Sequence, residues 1–260
     1  MSTGLLIPTP PASAPASNAA WSGWEPPVVA GTLVAAAHGT SSPAGRAAVG
    51  ALVEAVAAAR PELSVLPAFV DVQEPDVSTV LRLAGRNPRI VPLLLSAGVH
   101  TRRDLAGDAG RFPGATVARA LGPDPRIAEV LGQRLEEAGL RRGDHVVLAC
   151  AGSSDPQGVA DCRVMARMLS EHLSRRVEPA FVSAAEPSIA SAVERAAERS
   201  RRSWFRGGRL VLSSYLLAPG HFAARVAGAG ANVVTAPLLA AGRPVPERLV
   251  ELVLERYTQP

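Results

Sequence analysis

The chain contains two copies of one sequence pattern, and this repeat limits the folds available to it. Residues 33–45 and 146–158 read LVAAAHGTSSPAG and VVLACAGSSDPQG, while 67–75 and 179–187 read PAFVDVQEP and PAFVSAAEP. A third pair, 93–100 and 214–221, reads LLLSAGVH and SYLLAPGH, and the three pairs are offset by 113, 112 and 121 residues. A repeat this long indicates two duplicated domains rather than a solenoid. We therefore divide the chain into a tail (1–28), a first domain (29–142) and a second domain (143–260).

Each copy alternates short apolar runs with amphipathic stretches, which is the pattern of an α/β domain. The runs predict strands near residues 33–37, 66–70, 90–95 and 116–118, and again near 145–149, 177–182, 210–215 and 232–235. The runs are continuous rather than alternating, as expected for parallel strands covered by helices on both faces. The sequence therefore predicts two tandem, duplicated, three-layer α/β domains with parallel sheets.

Polar side chains follow three of the predicted strands in the first copy. His38 follows the first strand, Asp71 follows the second, and His100 lies just beyond the third. Ligands of open parallel sheets bind outside the carboxyl ends of the strands. Imidazole with a carboxylate suits Fe, Co, Ni or Zn. Because the second copy carries Ala151 opposite His38 and Ser183 opposite Asp71, the pattern predicts a metal or acid–base site in the first copy only.

Further residues are candidates for binding an anionic substrate. The loop after the first strand enters a helix, so its amides and hydroxyls can meet an anion, and arginines shortly after the strand-end histidines can pair with carboxylates. These candidates are Thr40, Ser41, Ser42, Arg102, Arg103 and Arg225. Two alternatives stay open: the loop is an ordinary turn and helix cap, and the arginines lie on solvated helix surfaces.

The same elements resemble the sirohydrochlorin chelatase family of class II chelatases. The resemblance rests on His38-Gly-Thr, on residues 69–75 (FVDVQEP) and on residues 92–100 (PLLLSAGVH). It extends over about residues 32–257 and includes the duplication, as in the long, fused bacterial form of the family. The sequence departs from the family pattern at Thr40, where Ser is usual, and at Asp71, where Glu is common.

The resemblance implies a metal set of His38, Asp71 and His100, with the two histidines also acting as catalytic bases. It implies insertion of a divalent metal, Fe²⁺ or Co²⁺, into sirohydrochlorin for siroheme or cobalamin synthesis. Ni²⁺ and Zn²⁺ are further ions to test in vitro. The metal is then a substrate, and no organic cofactor is expected. We expect the macrocycle in the cleft between the copies, with His221 facing it from the second copy.

Two other functions remain open at this point. A non-catalytic carrier of metal or tetrapyrrole would use the same histidines without turnover. A phosphoryl-transfer enzyme is the second alternative, because His-Gly also occurs in histidine phosphatases. In those enzymes Arg precedes the histidine, whereas Ala37 precedes His38 here, which counts against this alternative.

Composition argues against several other partners. A net charge of +4 with 4% aromatic residues gives little basis for nucleic-acid binding. No apolar window is long enough to span a bilayer, and residues 1–28 lack the basic and apolar regions expected of a secretory signal. The tail of Pro, Ala and Ser is expected to be disordered. We expect a cytoplasmic protein with two small buried thiols, and a monomer, since the duplication replaces a homodimer.

Overall fold

The computed structural model describes residues 31–96, 99–202 and 208–259, excepting the side chains of residues 99–102 and 199–202. The tail 1–28 and its expected disorder lie outside the described residues. Among the described helices, none is both long enough and apolar enough to cross a membrane.

Each copy forms its own four-stranded sheet, and the two sheets have equivalent strand orders. The elements of the first copy are β1 (Gly31–Ala37), α1 (Pro43–Ala59), β2 (Leu63–Phe69), α2 (Val77–Leu83), β3 (Arg89–Pro92), α3 (Val99–Gly110), β4 (Thr116–Val117) and α4 (Pro125–Glu137). Those of the second are β5 (His145–Cys150), α5 (Pro156–Leu173), β6 (Val177–Phe181), α6 (Ile189–Arg202), β7 (Leu210–Tyr215), α7 (His221–Ala227), β8 (Val233–Val234) and α8 (Glu247–Thr258). All pairings are parallel, in the orders β2-β1-β3-β4 and β6-β5-β7-β8. The predicted α/β fold with duplicated parallel sheets is confirmed.

Local sequence explains where these elements begin. Ser42 and Asp155 occupy the same position in the two copies, and each caps the helix after the first strand of its copy, with proline next. A side-chain oxygen at the N-cap satisfies a backbone N–H that has no helical partner, and proline at N1 has none to lose. Pro67 and Pro179 lie in β2 and β6. Both are edge strands, where a missing N–H costs least.

Helices cover both faces of each sheet. Along β1, Leu33, Ala35 and Ala37 belong to a central core, whereas Val34 and Ala36 belong to an outer core with α2 and α3. The second copy repeats this arrangement with its own outer core, which includes residues of α6 and α7. The central core contains residues of both sheets and of α1, α4, α5 and α8. The two copies therefore share their middle layer of helices.

Within that layer, α4 and α8 pack across the boundary between copies. Helix α4 contacts α5 and β7 of the second copy, and α8 contacts α1 and β3 of the first. The predicted boundary at 142/143 lies between α4 and β5, but the last helix of each copy covers the sheet of the other. The periodic pattern gives no information about which sheet a helix covers, so sequence alone does not show this exchange.

Two buried arginines fix the exchanged helices. Arg134 of α4 donates to the carbonyl oxygens of Pro237 and Leu238, at 3.2 and 2.7 Å. Arg256 of α8 donates to the carbonyl oxygens of Ala120 and Leu121, both at 3.1 Å. Each guanidinium thus holds the loop that follows the last strand of the opposite copy.

Arg256 also has a carboxylate partner. It bonds Asp124, the N-cap of α4, at 2.8 Å, and Asp124 is 4% exposed. Burial opposes ionisation of Asp124, but hydrogen bonds from Arg126 and Arg256 outweigh it and lower the pKa of this carboxyl. The Asp124 carboxylate therefore stays ionised although it is buried.

The end of β3 differs from the predicted strand. The sequence predicts a strand over residues 90–95, but β3 ends at Pro92. After Leu93 donates to the carbonyl of Ala36 at 2.8 Å, the carbonyl of Leu94 accepts from Leu121 at 2.9 Å. The Leu95 carbonyl accepts from Tyr215 of the other copy at 2.6 Å. The apolar run thus ends as a loop bonded to two other segments.

Candidate functional site

A cavity of about 540 Å³ lies at the carboxyl ends of β1, β3, β5 and β7. Its size is within the range of about 300–1,000 Å³ typical of small-molecule sites. The lining is mostly apolar and comes from both copies: residues 37–41, 49, 69, 72–73 and 93–96 of the first, and 150–153, 162 and 215–223 of the second. The cavity therefore lies between the copies, where the sequence predicts the cleft.

His38 is exposed and lines this cavity directly after β1. The next residue has to be glycine for two reasons. Gly39 has φ +97°, and a Cβ there would lie 1.9 Å from the carbonyl oxygen of Asp71. The backbone of Asp71 in turn donates to the His38 carbonyl at 3.0 Å. The strand-end loops of β1 and β2 are thus held in direct contact.

Gln73 adds a side-chain link between the same two loops. Its Oε1 accepts from the backbone N–H of Thr40 at 2.8 Å, and Gln73 lines the cavity. The corresponding residue of the second copy is Ala185, so the link belongs to the first copy. Gln73 is not among the site residues predicted from the sequence, although its difference from Ala185 is visible within the repeated 67–75 and 179–187 segments.

Thr40 and Ser41 line the cavity, whereas Ser42 does not. The Thr40 Oγ1 accepts from the Ser42 N–H at 3.1 Å, and the Ser42 Oγ accepts from Gly45 at 3.3 Å, capping α1. A Cβ on Gly45 would lie 2.3 Å from the carbonyl oxygen of Pro219. The start of α1 therefore contacts the second copy, and Ser42 stabilises this end of the helix as its N-cap.

Asp71 follows β2 but is exposed and does not line the cavity. Its Oδ1 accepts from the N–H of Val72 at 2.8 Å, and its carbonyl accepts from Gln73 at 2.8 Å. Val72 between them has φ +66°. This is a γ-turn in the strained, positive-φ form. The structure thus gives Asp71 a turn-forming contact, and its metal role stays a prediction.

The other predicted histidines lie on the helices after β3 and β7. His221 begins α7, is exposed and lines the cavity, with its ring 5.7 Å from that of Phe222 in an edge contact. His100 and Arg102 lie in the first turn of α3, but their side chains are outside those the structure describes. Their predicted roles remain predictions.

The remaining two arginines do not reach the cavity lining. Arg103 on α3 and Arg225 on α7 are both exposed, and neither is among the lining residues. Their exposure agrees with the alternative that these arginines lie on solvated helix surfaces. Pairing with flexible carboxylates outside the cavity stays a prediction for both.

The wall from the second copy contains weakly acidic groups that are buried. Cys150 and Cys162 are buried, as expected, and both line the cavity. Burial, and then the neighbouring Cys162, raises the pKa of the Cys150 thiol well above its ordinary value. Burial likewise raises the pKa of Tyr215, whose hydroxyl donates to the Leu95 carbonyl. Cys150 and Tyr215 are therefore uncharged at neutral pH, and the Tyr215 hydroxyl links the two copies.

Among the side chains that the structure describes, no group of three His, Cys, Asp or Glu could hold a metal ion. The predicted set of His38, Asp71 and His100 is only partly within those side chains. The strand order β2-β1-β3 nevertheless brings together the carboxyl ends of the three strands that precede these positions.

The sequence model of the CbiX family matches residues 32–138 and 145–241 of this chain. The two matched ranges correspond to the two copies. Together they cover well over half of the chain.

Among curated proteins, the chain is similar to a sirohydrochlorin cobaltochelatase of Sulfurisphaera tokodaii, with 32% identity over 75 residues. That match covers 26% of this chain and 62% of the relative.

Solved structures share the fold. SirB from Bacillus subtilis with Fe³⁺ has a TM-score of 0.70 at 22% identity, covering 87% of this chain and 95% of that one. SirB from Bacillus subtilis subspecies spizizenii, in complex with cobalt, has a TM-score of 0.66 at 20% identity, with coverage of 86% and 94%. These identities support the fold alone.

Proposed function

The chain belongs to the sirohydrochlorin chelatase family, and we propose that it inserts Fe²⁺ or Co²⁺ into sirohydrochlorin. The observation that carries the proposal is a single cavity built by both copies with His38 at its lining. Sirohydrochlorin is a large tetrapyrrole whose edge carries carboxylates. A cavity between two sheets, apolar inside and open at the strand ends, suits a flat ring with a polar edge.

We place the substrate metal at the ends of β2, β1 and β3, with Asp71, His38 and His100 as ligands. Two imidazoles and a carboxylate are suitable donors for Fe²⁺ or Co²⁺. The Oδ1 of Asp71 accepts from Val72, but a carboxylate has a second oxygen. Metal binding through Oδ2 is therefore compatible with the turn. The metal is consumed as a substrate, and the proposal involves no organic cofactor.

Insertion releases two protons from pyrrole nitrogens, so bases are needed close to the metal. A neutral imidazole can accept a proton near neutral pH, and His38 and His100 are the proposed acceptors. His221, which lines the cavity from the second copy, is proposed to bind the macrocycle opposite them. Thr40 and Ser41, which also line the cavity, are proposed to offer polar contacts to a substrate carboxylate.

We propose that the protein acts as a monomer in the cytoplasm and that its product enters siroheme or cobalamin synthesis. A monomer suffices because one chain contributes both walls of the cavity. The choice between the two pathways follows the metal, iron for siroheme and cobalt for cobalamin.

A spectroscopic insertion assay tests the proposal. Purified protein at about one hundredth of the substrate concentration is mixed with sirohydrochlorin and either Fe²⁺ or Co²⁺, and absorbance follows metallation. We expect many turnovers per chain, none of which occur with His38→Ala. The matched control is His145→Ala, because His145 is an exposed histidine at the start of β5, away from the cavity. A rate equal to the uncatalysed rate with both metals would reject the proposal.

The same assay separates the two alternatives. A carrier would bind sirohydrochlorin or metal stoichiometrically, and product would stop at one equivalent per chain. A phosphoryl-transfer enzyme would hydrolyse p-nitrophenyl phosphate through His38 and leave sirohydrochlorin unchanged. We expect product beyond one equivalent and no phosphate release.

A further inference from the structure

Two large apolar side chains are exposed at the cavity. Within the described parts of the chain, Val72, Leu83 and Phe222 are the exposed large hydrophobic residues, at 59%, 79% and 36%. Val72 and Phe222 both line the cavity, whereas Leu83 does not. One comes from each copy. Scattered apolar residues on a surface need no explanation, but apolar groups gathered at one cavity indicate binding.

The backbone at Val72 makes its side chain harder to explain by folding alone. Val72 has φ +66°, a region that a β-branched residue adopts only under strain. Ala184, its counterpart in the second copy, has φ 57°, so the loop takes this conformation with a smaller residue. Glycine or asparagine would fit the turn better. Valine is unfavourable here both because of the positive φ and because its side chain is exposed. A contact between its isopropyl group and a ligand in the cavity accounts for its presence.

Phe222 has a comparable position in the second copy. It follows His221 at the start of α7, and the two rings meet at an interplanar angle of 73°. Phe222 is 36% exposed and belongs to the cavity lining. An exposed aromatic side chain is suited to an offset contact with another flat ring.

From these observations we infer that Val72 and Phe222 form an apolar clamp, defined by these two residues, that holds the faces of the tetrapyrrole. This inference rests on the proposed function and deepens it by naming residues that bind the ring rather than the metal. A flat macrocycle has apolar faces and a carboxylate edge. The clamp contacts the faces, while the residues immediately before Val72 and Phe222 make other contacts: Asp71 binds metal through Oδ2, and His221 makes polar contacts to the ring.

Two substitutions remove the clamp while preserving the backbone. Val72→Asn keeps a residue that tolerates positive φ and removes the isopropyl group, and Phe222→Ser removes the ring. Phe222→Leu serves as a second, milder variant that keeps an apolar group. Leu83→Asn is the matched control, because Leu83 is more exposed than either residue and lies outside the cavity lining.

The measurements separate ring binding from metal binding. Absorbance titration gives the Kd for metal-free sirohydrochlorin, steady-state assays give KM and kcat, and calorimetry with Co²⁺ alone gives metal affinity. We expect Kd and KM to rise about tenfold in Val72→Asn and in Phe222→Ser. We expect a smaller rise in Phe222→Leu and no change in Leu83→Asn. Co²⁺ affinity stays within twofold of the unsubstituted protein, and the Tm of Val72→Asn is equal or higher, since the strain is relieved.

Unchanged Kd and KM in both Val72→Asn and Phe222→Ser would overturn the clamp while leaving the proposed function intact. A parallel loss of Co²⁺ affinity would also overturn it, because the residues would then act through the metal site. If the unsubstituted protein neither binds nor metallates sirohydrochlorin, the proposed function itself fails, and the clamp fails with it.

Discussion

The two copies share a sheet order but differ in the residues that reach the cavity. Gly39 and Gly152 have φ +97° and +99°, and at each a Cβ would meet a carbonyl oxygen of the next loop within 2 Å. At the neighbouring positions His38 and Gln73 face the cavity in the first copy, where the second has Ala151 and Ala185. Gly39 and Gly152, which the backbone requires, are thus present in both copies, whereas His38 and Gln73 belong to the first copy alone. The second copy is proposed to contribute His221 and Phe222 to ring binding, but no metal ligand.

The strongest test of this comparison transfers the histidine between copies. We expect His38→Ala to lower insertion more than about 100-fold, because loss even of a residue that orients a metal ligand costs about 10–100-fold. The double variant His38→Ala/Ala151→His should stay equally inactive, since Ser183 stands in place of Asp71 in the second copy. Initial rates with sirohydrochlorin decide this, with circular dichroism to confirm folding. Recovery of activity in the double variant would mean that the copies are equivalent.

The two arginines of the shared helical layer allow a comparison of stability. Arg256→Met leaves Asp124, whose side chain is 6% exposed, without one of its cations. We expect the free energy of unfolding to fall by about 3–5 kcal/mol, as for other broken buried pairs. Arg134→Met removes donors from two carbonyls and from Glu137, whose side chain is 35% exposed. We expect about 1–3 kcal/mol there.

Urea unfolding followed by circular dichroism measures both losses. Arg248→Met is the control, since the Arg248 side chain is 49% exposed and its ion pairs are worth about 0–1 kcal/mol. Equal losses of unfolding free energy in Arg256→Met and Arg134→Met would show that the bond between Arg256 and Asp124 adds no stability.

Substitutions of Asp71 test whether its carboxylate binds the metal or only stabilises the turn. If the carboxylate binds metal, Asp71→Glu should retain much of the activity, while Asp71→Asn should fall close to Asp71→Ala. If the bond from Val72 to Oδ1, at 2.8 Å, is the whole role, Asn should be tolerated and Glu should not. Insertion rates rank the three variants, with Tm as the measure of folding. Ser183→Ala is the counterpart in the second copy and should leave the rate unchanged.

Much of the fold follows from the sequence because the apolar runs and caps are local signals. The buried runs gave the strands, and the loop after the first strand was expected to enter a helix, which Ser42 caps. The exchange of α4 and α8 does not follow, because both sheets present similar apolar faces. The conformation of Val72 does not follow either, since valine disfavours positive φ. The Gln73 contact was accessible, because one copy has glutamine where the other has alanine.

Gln73 gives the smallest expected effect. Gln73→Ala removes the acceptor of the Thr40 N–H, a bond of 2.8 Å, and a single hydrogen bond is worth about 0.5–1.5 kcal/mol. We expect kcat/KM to fall about fivefold, with Gln73→Glu close to the unsubstituted protein because an acceptor oxygen remains. Ala185→Gln in the second copy should have no effect. If Gln73→Ala retains full kcat/KM, the link does not position the His38 loop.

The central claim is that one chain holds one metal site, in the first copy. Calorimetric titration with Co²⁺ at pH 7, without sirohydrochlorin, tests it directly. The account predicts one Co²⁺ per chain, lost in His38→Ala and unchanged in His145→Ala and in Ser183→Ala. Two equivalent sites per chain, or a single site that survives in His38→Ala, would contradict it.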